Sequence, residues 1–261
     1  MDEGVIKEMK RASSTVVRFS LLVVTMGSLG LILASCSAAL SSAIRADGGA
    51  RISIRAEVPG PIAAKLRRLA ASGSATASGT SAATGPFFDM AAIRKSIAAR
   101  PSLSLVELKL PSPDSIQAEL SVRSLEELAA SADLKGSGLL TMSQGPLWSE
   151  FRFRLERGDA KALTALFPGI DPYLMDALSP PALDEDPVTS AEYRTMLKAV
   201  FGEKVMPSME AAMIEISVTA PGVVVESGGG RLSGSTLTAR IPLIQILSLE
   251  KPMELWIRWK K

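Results

Sequence analysis

The chain has 261 residues, and its 29 Lys and Arg nearly balance its 27 Asp and Glu, for a formal net charge of +2. This balance argues against a nucleic-acid-binding protein, which needs a strongly basic surface. The chain has no histidine and a single cysteine. This composition excludes Ser-His-Asp and Cys-His catalysis, histidine metal sites and a disulfide within the chain.

The first 36 residues have the three regions of a secretory signal peptide. A basic stretch comes first, an apolar run follows over residues 19–34, and small residues stand at its end. This order predicts export followed by cleavage. An uncleaved membrane span is the alternative, but the run is shorter than the roughly 20 residues that such a helix needs. Acidic residues before Met9 are unusual in a basic region, so the translation start is open between Met1 and Met9. The basic residues are Lys7, Lys10, Arg11 and Arg18.

The motif Leu33-Ala34-Ser35-Cys36 ends the apolar run and resembles the lipobox of bacterial lipoproteins. The resemblance implies cleavage between Ser35 and Cys36, a diacylglycerol on the Cys36 thiol, and an acyl group such as palmitate on its amine. It also implies a lipid-anchored protein of the cell envelope. Ser37 after the cysteine favours the outer membrane, on its periplasmic or surface face. Residues 1–35 are therefore the predicted signal peptide, and residues 36–50 are the predicted lipidated tether.

Residues 51–261 are predicted to form a single α+β domain. Apolar residues alternate over 51–58, which predicts a strand with one buried face. The stretch 71–86, rich in Ser, Ala, Thr and Gly, is predicted to be a flexible loop because nothing in it can pack. Ser124 begins a capping box that predicts a short helix. The other elements predicted in this half are helices over 62–69 and 88–97, a hairpin of 103–110 with 115–123, and a hairpin of 139–142 with 147–157.

The middle of the chain, from about 159 to 213, is predicted to be a helical insertion between two groups of strands. Asp159, Asp171 and the Thr189-x-x-Glu192 motif fit helix starts. The predicted fold class is thus α+β, with a mostly antiparallel sheet packed against helices. The segment 45–54 and the last strand also resemble uncharacterised bacterial lipoproteins, including spirochaetal and LppM-type ones. Strands are predicted after the insertion over 214–218, 223–225, 237–241 and 253–259.

The sequence predicts no catalytic residue, no metal site and no cofactor. Asp184-Glu185-Asp186 is the densest acidic cluster, but flanking prolines and the absence of a turning glycine favour a solvated loop over a calcium site. The glycine-rich segment 227–234 leads into a β pattern, which favours a hairpin turn over a phosphate loop. An envelope hydrolase that uses carboxylates is the least favoured function.

Two features suggest binding in place of catalysis. The helical middle is rich in methionine, whose side chain adapts to irregular apolar partners, and Trp256 is predicted on the outer face of the last strand. The favoured function is a non-enzymatic interaction or assembly module close to the bilayer, which binds the membrane through the acyl chains on Cys36 and also binds a protein partner. The alternative is a carrier of lipid or another hydrophobic ligand, with a pocket between the sheet and the methionine-rich helices; ordinary core packing would explain the same residues. The predicted contact residues are Met175, Met196, Met206, Met209 and Trp256.

Overall fold

The computed structural model describes residues 36–73, 86–131, 134–159, 181 and 188–261. The predicted signal peptide, Ser35, Met175 and the acidic run Asp184-Glu185-Asp186 lie outside these residues, as do residues 74–85 of the predicted loop. Within the described residues there are eleven strands and six helices. The fold is therefore α+β, as the sequence predicts.

The strands have three to ten residues and the helices five to fourteen. The strands are β1 (Cys36–Ile44), β2 (Ala50–Glu57), β3 (Leu103–Ser112), β4 (Ser115–Val122), β5 (Leu140–Gln144), β6 (Trp148–Leu155), β7 (Met213–Thr219), β8 (Val224–Gly228), β9 (Arg231–Ser233), β10 (Thr236–Pro242) and β11 (Met253–Lys260). The helices are α1 (Gly60–Gly73), α2 (Met90–Ala98), α3 (Leu125–Ala129), α4 (Ser190–Phe201), α5 (Met206–Ala211) and α6 (Leu243–Ser248).

The strands form two sheets where the sequence predicts one. The larger sheet has the order β3-β4-β2-β1-β7-β10-β9, and the smaller has the order β5-β6-β11-β8. Antiparallel pairing joins β1 to β2, β2 to β4 and β7 to β10 in the larger sheet, and joins β11 to both β6 and β8 in the smaller one. The division into two sheets depends on which strands pair with each other. The alternation of side chains within one strand does not reveal its partners.

The predicted tether over residues 36–50 is wrong, because β1 occupies its first nine residues at the centre of the larger sheet. Along β1, Ala38 pairs with Ala56 and Ile44 pairs with Ala50. Ser42 and Ile44 are buried, while the Ser41 hydroxyl accepts a hydrogen bond from the Ser217 hydroxyl of β7 at 2.9 Å. The small Ala and Ser side chains of this segment suit a strand that has a neighbour on each side.

Two apolar clusters hold the described residues together. The first lies between the sheets and joins Ile44 and Val122 of the larger sheet to Leu155, Ile257 and Trp259 of the smaller one. The second is helical and joins α1, α4, α5 and α6, with Tyr193 fully buried at its centre. Burial raises the pKa of the Tyr193 hydroxyl, so this side chain stays neutral.

Side-chain caps mark the starts of α3 and α4. The Ser124 hydroxyl accepts a hydrogen bond from the Glu127 backbone N–H at 3.1 Å. Thr189 and Glu192 form the predicted capping box, in which each side chain accepts from the other residue's backbone N–H. These hydrogen bonds lower the pKa of Glu192. The predicted loop begins too early, because α1 continues to Gly73 and includes residues 71–73.

Candidate functional site

The structure does not bring the predicted contact residues together. Met206 and Met209 are buried in the helical cluster, so they form core where the sequence predicts contact with a ligand. Met196 is 46% exposed on α4, beside the buried stripe of Tyr193, Leu197 and Phe201. The methionines of the described helices therefore do not line one pocket.

Trp256 lies half-buried on β11, and Trp259 is buried in the core between the sheets. The two indoles thus occupy opposite faces of the smaller sheet, in agreement with the predicted alternation. Trp256 is opposite Gly228 of β8. A Cβ atom added to Gly228 would lie 2.3 Å from the Trp256 indole Nε1. A larger residue at Gly228 would therefore displace the indole, which lies directly over the backbone.

The outward face of the smaller sheet carries a network of ions and aromatic rings centred on Glu150. Glu150 is only 6% exposed. Its Oε1 accepts hydrogen bonds from Arg152 at 2.9 and 3.2 Å, and its Oε2 accepts one from the Arg258 Nε at 2.9 Å. Arg152 also pairs with Glu254, and Arg258 with Glu226. The bonds to Glu150, above all, raise the pKa of Arg152, so its guanidinium stays charged.

The same two guanidinium groups lie over indole rings. The Arg258 Cζ is 4.8 Å from the centre of the Trp148 ring and 5.8 Å from that of Trp256. The Arg152 Cζ is 5.5 Å from the Trp256 ring centre. Cation–π contacts of this kind stabilise a cation beside an aromatic face. Each guanidinium group of the network therefore has both carboxylate and indole partners within this face of the sheet.

A cleft of about 740 Å³ opens between the two sheets, beside the crossing from β8 to β9. Its volume is within the range of small-molecule sites. Apolar side chains from both sheets line it, and polar groups stand among them. This cleft lies between the sheets, whereas the sequence predicts a pocket between the sheet and the methionine-rich helices, of which Met175 lies outside the described residues. The apolar lining residues are Phe153, Ile216, Ala239, Ile241, Pro252, Met253 and Leu255.

Charges around this cleft are mostly paired. Arg240 donates to Glu215 at 2.8 Å, and Glu254 pairs with Arg152. Arg231 of β9 is exposed and forms no ion pair with another described residue. The cleft could therefore hold an apolar group in its interior and an anionic group at Arg231.

Two neighbouring turns at the end of the smaller sheet expose large aliphatic side chains. Leu147, between β5 and β6, is 78% exposed, and Val223, between β7 and β8, is 70% exposed. Both turns lie against the last residues of β11: the Lys260 N–H donates to the Val223 carbonyl at 2.9 Å, and the Lys261 N–H donates to the Leu147 carbonyl at 3.2 Å. We call these four residues the Leu147–Val223 tip.

In the described ranges, no group of three or more Asp, Glu or Cys side chains could hold a metal ion. No helix there is both long and apolar enough to span a bilayer.

The chain matches no protein-family model and no curated protein sequence. Among solved structures, it is similar to the folded domain of the LppM protein of Mycobacterium tuberculosis, determined by NMR. The TM-score is 0.38 and the sequence identity is 12%, over 85% of this chain and 88% of that one. A likeness at this level is too weak to assign a function.

Sequence reasoning missed the Glu150 network and the Leu147–Val223 tip. The alternating charges around Arg152 predict an outer face, but they do not reveal that Glu150 is buried between two arginines. Leu147 and Val223 are 76 positions apart, and only the pairing of β11 with both β6 and β8 brings them together. Pro146 and Pro221, each one or two residues before its aliphatic, are the only local signal.

Proposed function

We propose that the chain is a lipid-anchored protein of the cell envelope whose domain acts as a non-enzymatic binding module at the bilayer. The lipobox at Leu33-Ala34-Ser35-Cys36 carries the proposal. β1, the first strand of the described residues, begins at this cysteine. Acyl chains on this residue would hold the domain against the membrane, and two or more chains make such anchoring stable.

We expect Cys36→Ser to abolish both lipidation and membrane association. Cells that express the full chain would be grown with an alkyne fatty acid, and the label and the membrane-bound fraction would be measured for each variant. Ser35→Ala is the matched control, because alanine keeps the small residue that the motif needs before the cysteine. Label on the Cys36→Ser protein, or no label on the natural chain, would contradict the anchor.

A second candidate function, the carriage of a hydrophobic ligand, is favoured by the cleft between the sheets. Its volume and apolar lining fit an aliphatic chain, and Arg231 at its rim fits an anionic headgroup. Ser233 also lines the cleft and is exposed on β9. A large side chain at this position would fill the cleft without disturbing the core.

We expect Ser233→Trp to remove a bound lipid that the natural chain retains through purification. Native mass spectrometry of the full chain would show an added mass that disappears on denaturation. The matched control is Ser104→Trp, an exposed serine of β3 that does not line the cleft. A natural chain with no added mass would exclude the carrier and leave the binding module.

A further inference from the structure

The cleft between the sheets follows the edges of two strands. It touches the four consecutive residues 238–241 of β10, and the four consecutive residues 252–255 at the start of β11. Consecutive residues of a strand point to opposite faces of the sheet. A cleft that touches each residue in turn therefore lies along the hydrogen-bonding edge of the strand and not over one face.

The edge of β11 is open here because its neighbour ends early. β8 pairs with β11 only as far as Gly228, which is opposite Trp256. The chain then passes into the larger sheet, where β9 begins at Arg231, opposite Thr238 of β10. β8 is the neighbour of β11 on this side of the smaller sheet, so no described strand runs beside residues 253–255 there.

The backbone of Glu254 faces this open edge. Successive residues of a paired strand direct their N–H and C=O groups to opposite neighbours. The Lys260 N–H donates to the segment before β8, and the Lys261 N–H donates to the segment before β6. The even-numbered residues of β11 therefore face the β8 side, and Glu254 is one of them. Its carbonyl oxygen lies beside Gly229, and no described residue is hydrogen-bonded to its backbone N–H or C=O.

An open backbone edge inside an apolar cleft favours an extended peptide over an aliphatic chain. Backbone N–H and C=O groups that are shielded from water need hydrogen-bond partners, and an aliphatic chain offers none. A peptide strand supplies both an acceptor and a donor to Glu254 when it adds to the edge of a sheet. Residues 252–255 span about 13 Å at the rise of a strand, so about four residues of the peptide would lie along this edge.

The walls of the cleft indicate which side chains the peptide carries. Phe153 and Met253 of the smaller sheet and Ile241 of the larger one offer apolar contacts. Arg231 also lines the cleft, is exposed, and forms no ion pair with a described residue. The complementary peptide therefore combines apolar side chains with an acidic one that reaches Arg231.

We propose that the cleft binds an extended segment of a partner protein, which pairs with the edge of β11 at Glu254 and continues the smaller sheet where β8 leaves it. The proposal rests on the proposed binding module and describes its partner by chemistry. The Glu254 N–H donates to a carbonyl of the added strand, and the Glu254 C=O accepts from an N–H of that strand. Arg231 pairs with an acidic side chain of the same segment.

The test uses the lipidated full chain in nanodiscs and a phage-displayed library of random peptides. We expect the chain to enrich peptides that combine apolar residues with Asp or Glu. The peptide that binds most tightly would then be synthesised with an N-methyl group at one backbone nitrogen at a time. We expect binding to be lost when the methylated residue faces β11 and to be retained when the next residue, whose N–H faces away, is methylated.

Glu254→Pro is the matching change in the protein. Proline removes the N–H that faces the open edge, a position at which edge strands tolerate it. We expect Glu254→Pro to weaken binding of the enriched peptide at least about fivefold, because a shielded carbonyl of the peptide loses its donor. The matched control is Glu254→Gln, which also loses the ion pair with Arg152 but keeps the N–H. We expect this variant to bind the peptide as the natural chain does.

The outcomes separate the possible occupants of the cleft. A library without an enriched peptide, binding that survives methylation at every position, or equal binding by the two Glu254 variants overturns the peptide site. A lipid that native mass spectrometry detects and the peptide does not displace, or a dimer formed through this edge, overturns it as well. An unlabelled natural chain in the fatty-acid experiment overturns the anchor alone. Circular dichroism checks the fold of each variant, and the methylation pattern decides if Glu254→Pro does not fold.

Discussion

Replacing Gly229 with alanine is expected to destabilise the domain by about 3 kcal/mol or more, through strain and a backbone clash together. Gly229 has φ +82°, where an L-residue pays roughly 1–2 kcal/mol. A Cβ atom there would also lie 1.8 Å from the Glu254 carbonyl oxygen, which belongs to β11 and cannot move without breaking its strand pairing. The glycine is required because the chain crosses from the smaller sheet to the larger one at this residue.

Gly234→Ala separates the two causes, because Gly234 also has positive φ but nothing lies within 4 Å of its Cβ position. In thermal unfolding followed by circular dichroism, a loss of 3 kcal/mol corresponds to a drop in Tm of about 6–12 °C for a domain of this size. The control is expected to lose about half as much. Equal losses in the two variants would show that the close approach of Glu254 is absent.

Glu150→Gln is the second substitution for which we expect a large effect, a loss of about 2 kcal/mol. The carboxylate is buried and accepts hydrogen bonds from two arginines, so an amide leaves two cations near a neutral group. Removal of one partner from a fully buried ion pair costs roughly 3–5 kcal/mol. We expect less here because both guanidinium groups are partly exposed and water can solvate them.

The matched control is Glu254→Gln, which removes an ion pair to the same Arg152 at an exposed position. Exposed pairs contribute at most about 1 kcal/mol, so the two variants are expected to differ in urea-unfolding midpoint with unchanged slope. High salt is expected to abolish the small loss of unfolding free energy in Glu254→Gln and to leave most of the loss in Glu150→Gln. Indistinguishable midpoints would contradict the burial of Glu150.

Local patterns in the sequence predict individual elements well and their assembly poorly. The alternation in β2, β4 and β11 and the caps at Ser124 and Thr189 are each confirmed, because they depend on a few neighbouring residues. The sequence did not predict β1, because its Ala and Ser side chains have no clear apolar alternation. This segment is a strand because β2 and β7 pair with it on either side. The division into two sheets depends on pairings between distant segments, and local alternation does not indicate which segments pair.

The candidate sites were predicted less well than the fold, because they too depend on how distant segments assemble. The methionine pattern of the helical middle agrees with the burial of Met206 and Met209 but not with the exposure of Met196. A face that packs into a core and one that binds a ligand have the same pattern. Met209 and Met196 lie on neighbouring helices, and only packing decides that the first is buried and the second exposed. Glu150 and Arg258 are 108 residues apart, so their pairing has no local signal.

The position of β1 also bears on how the larger sheet forms. β1 is the strand that connects β3-β4-β2 on one side of the larger sheet to β7-β10-β9 on the other. Its partner β2 follows it directly along the chain, whereas β7 begins only at Met213. Because contacts between segments far apart in sequence form slowly, the pairing of β7 with β1 is expected to limit the folding rate of the sheet.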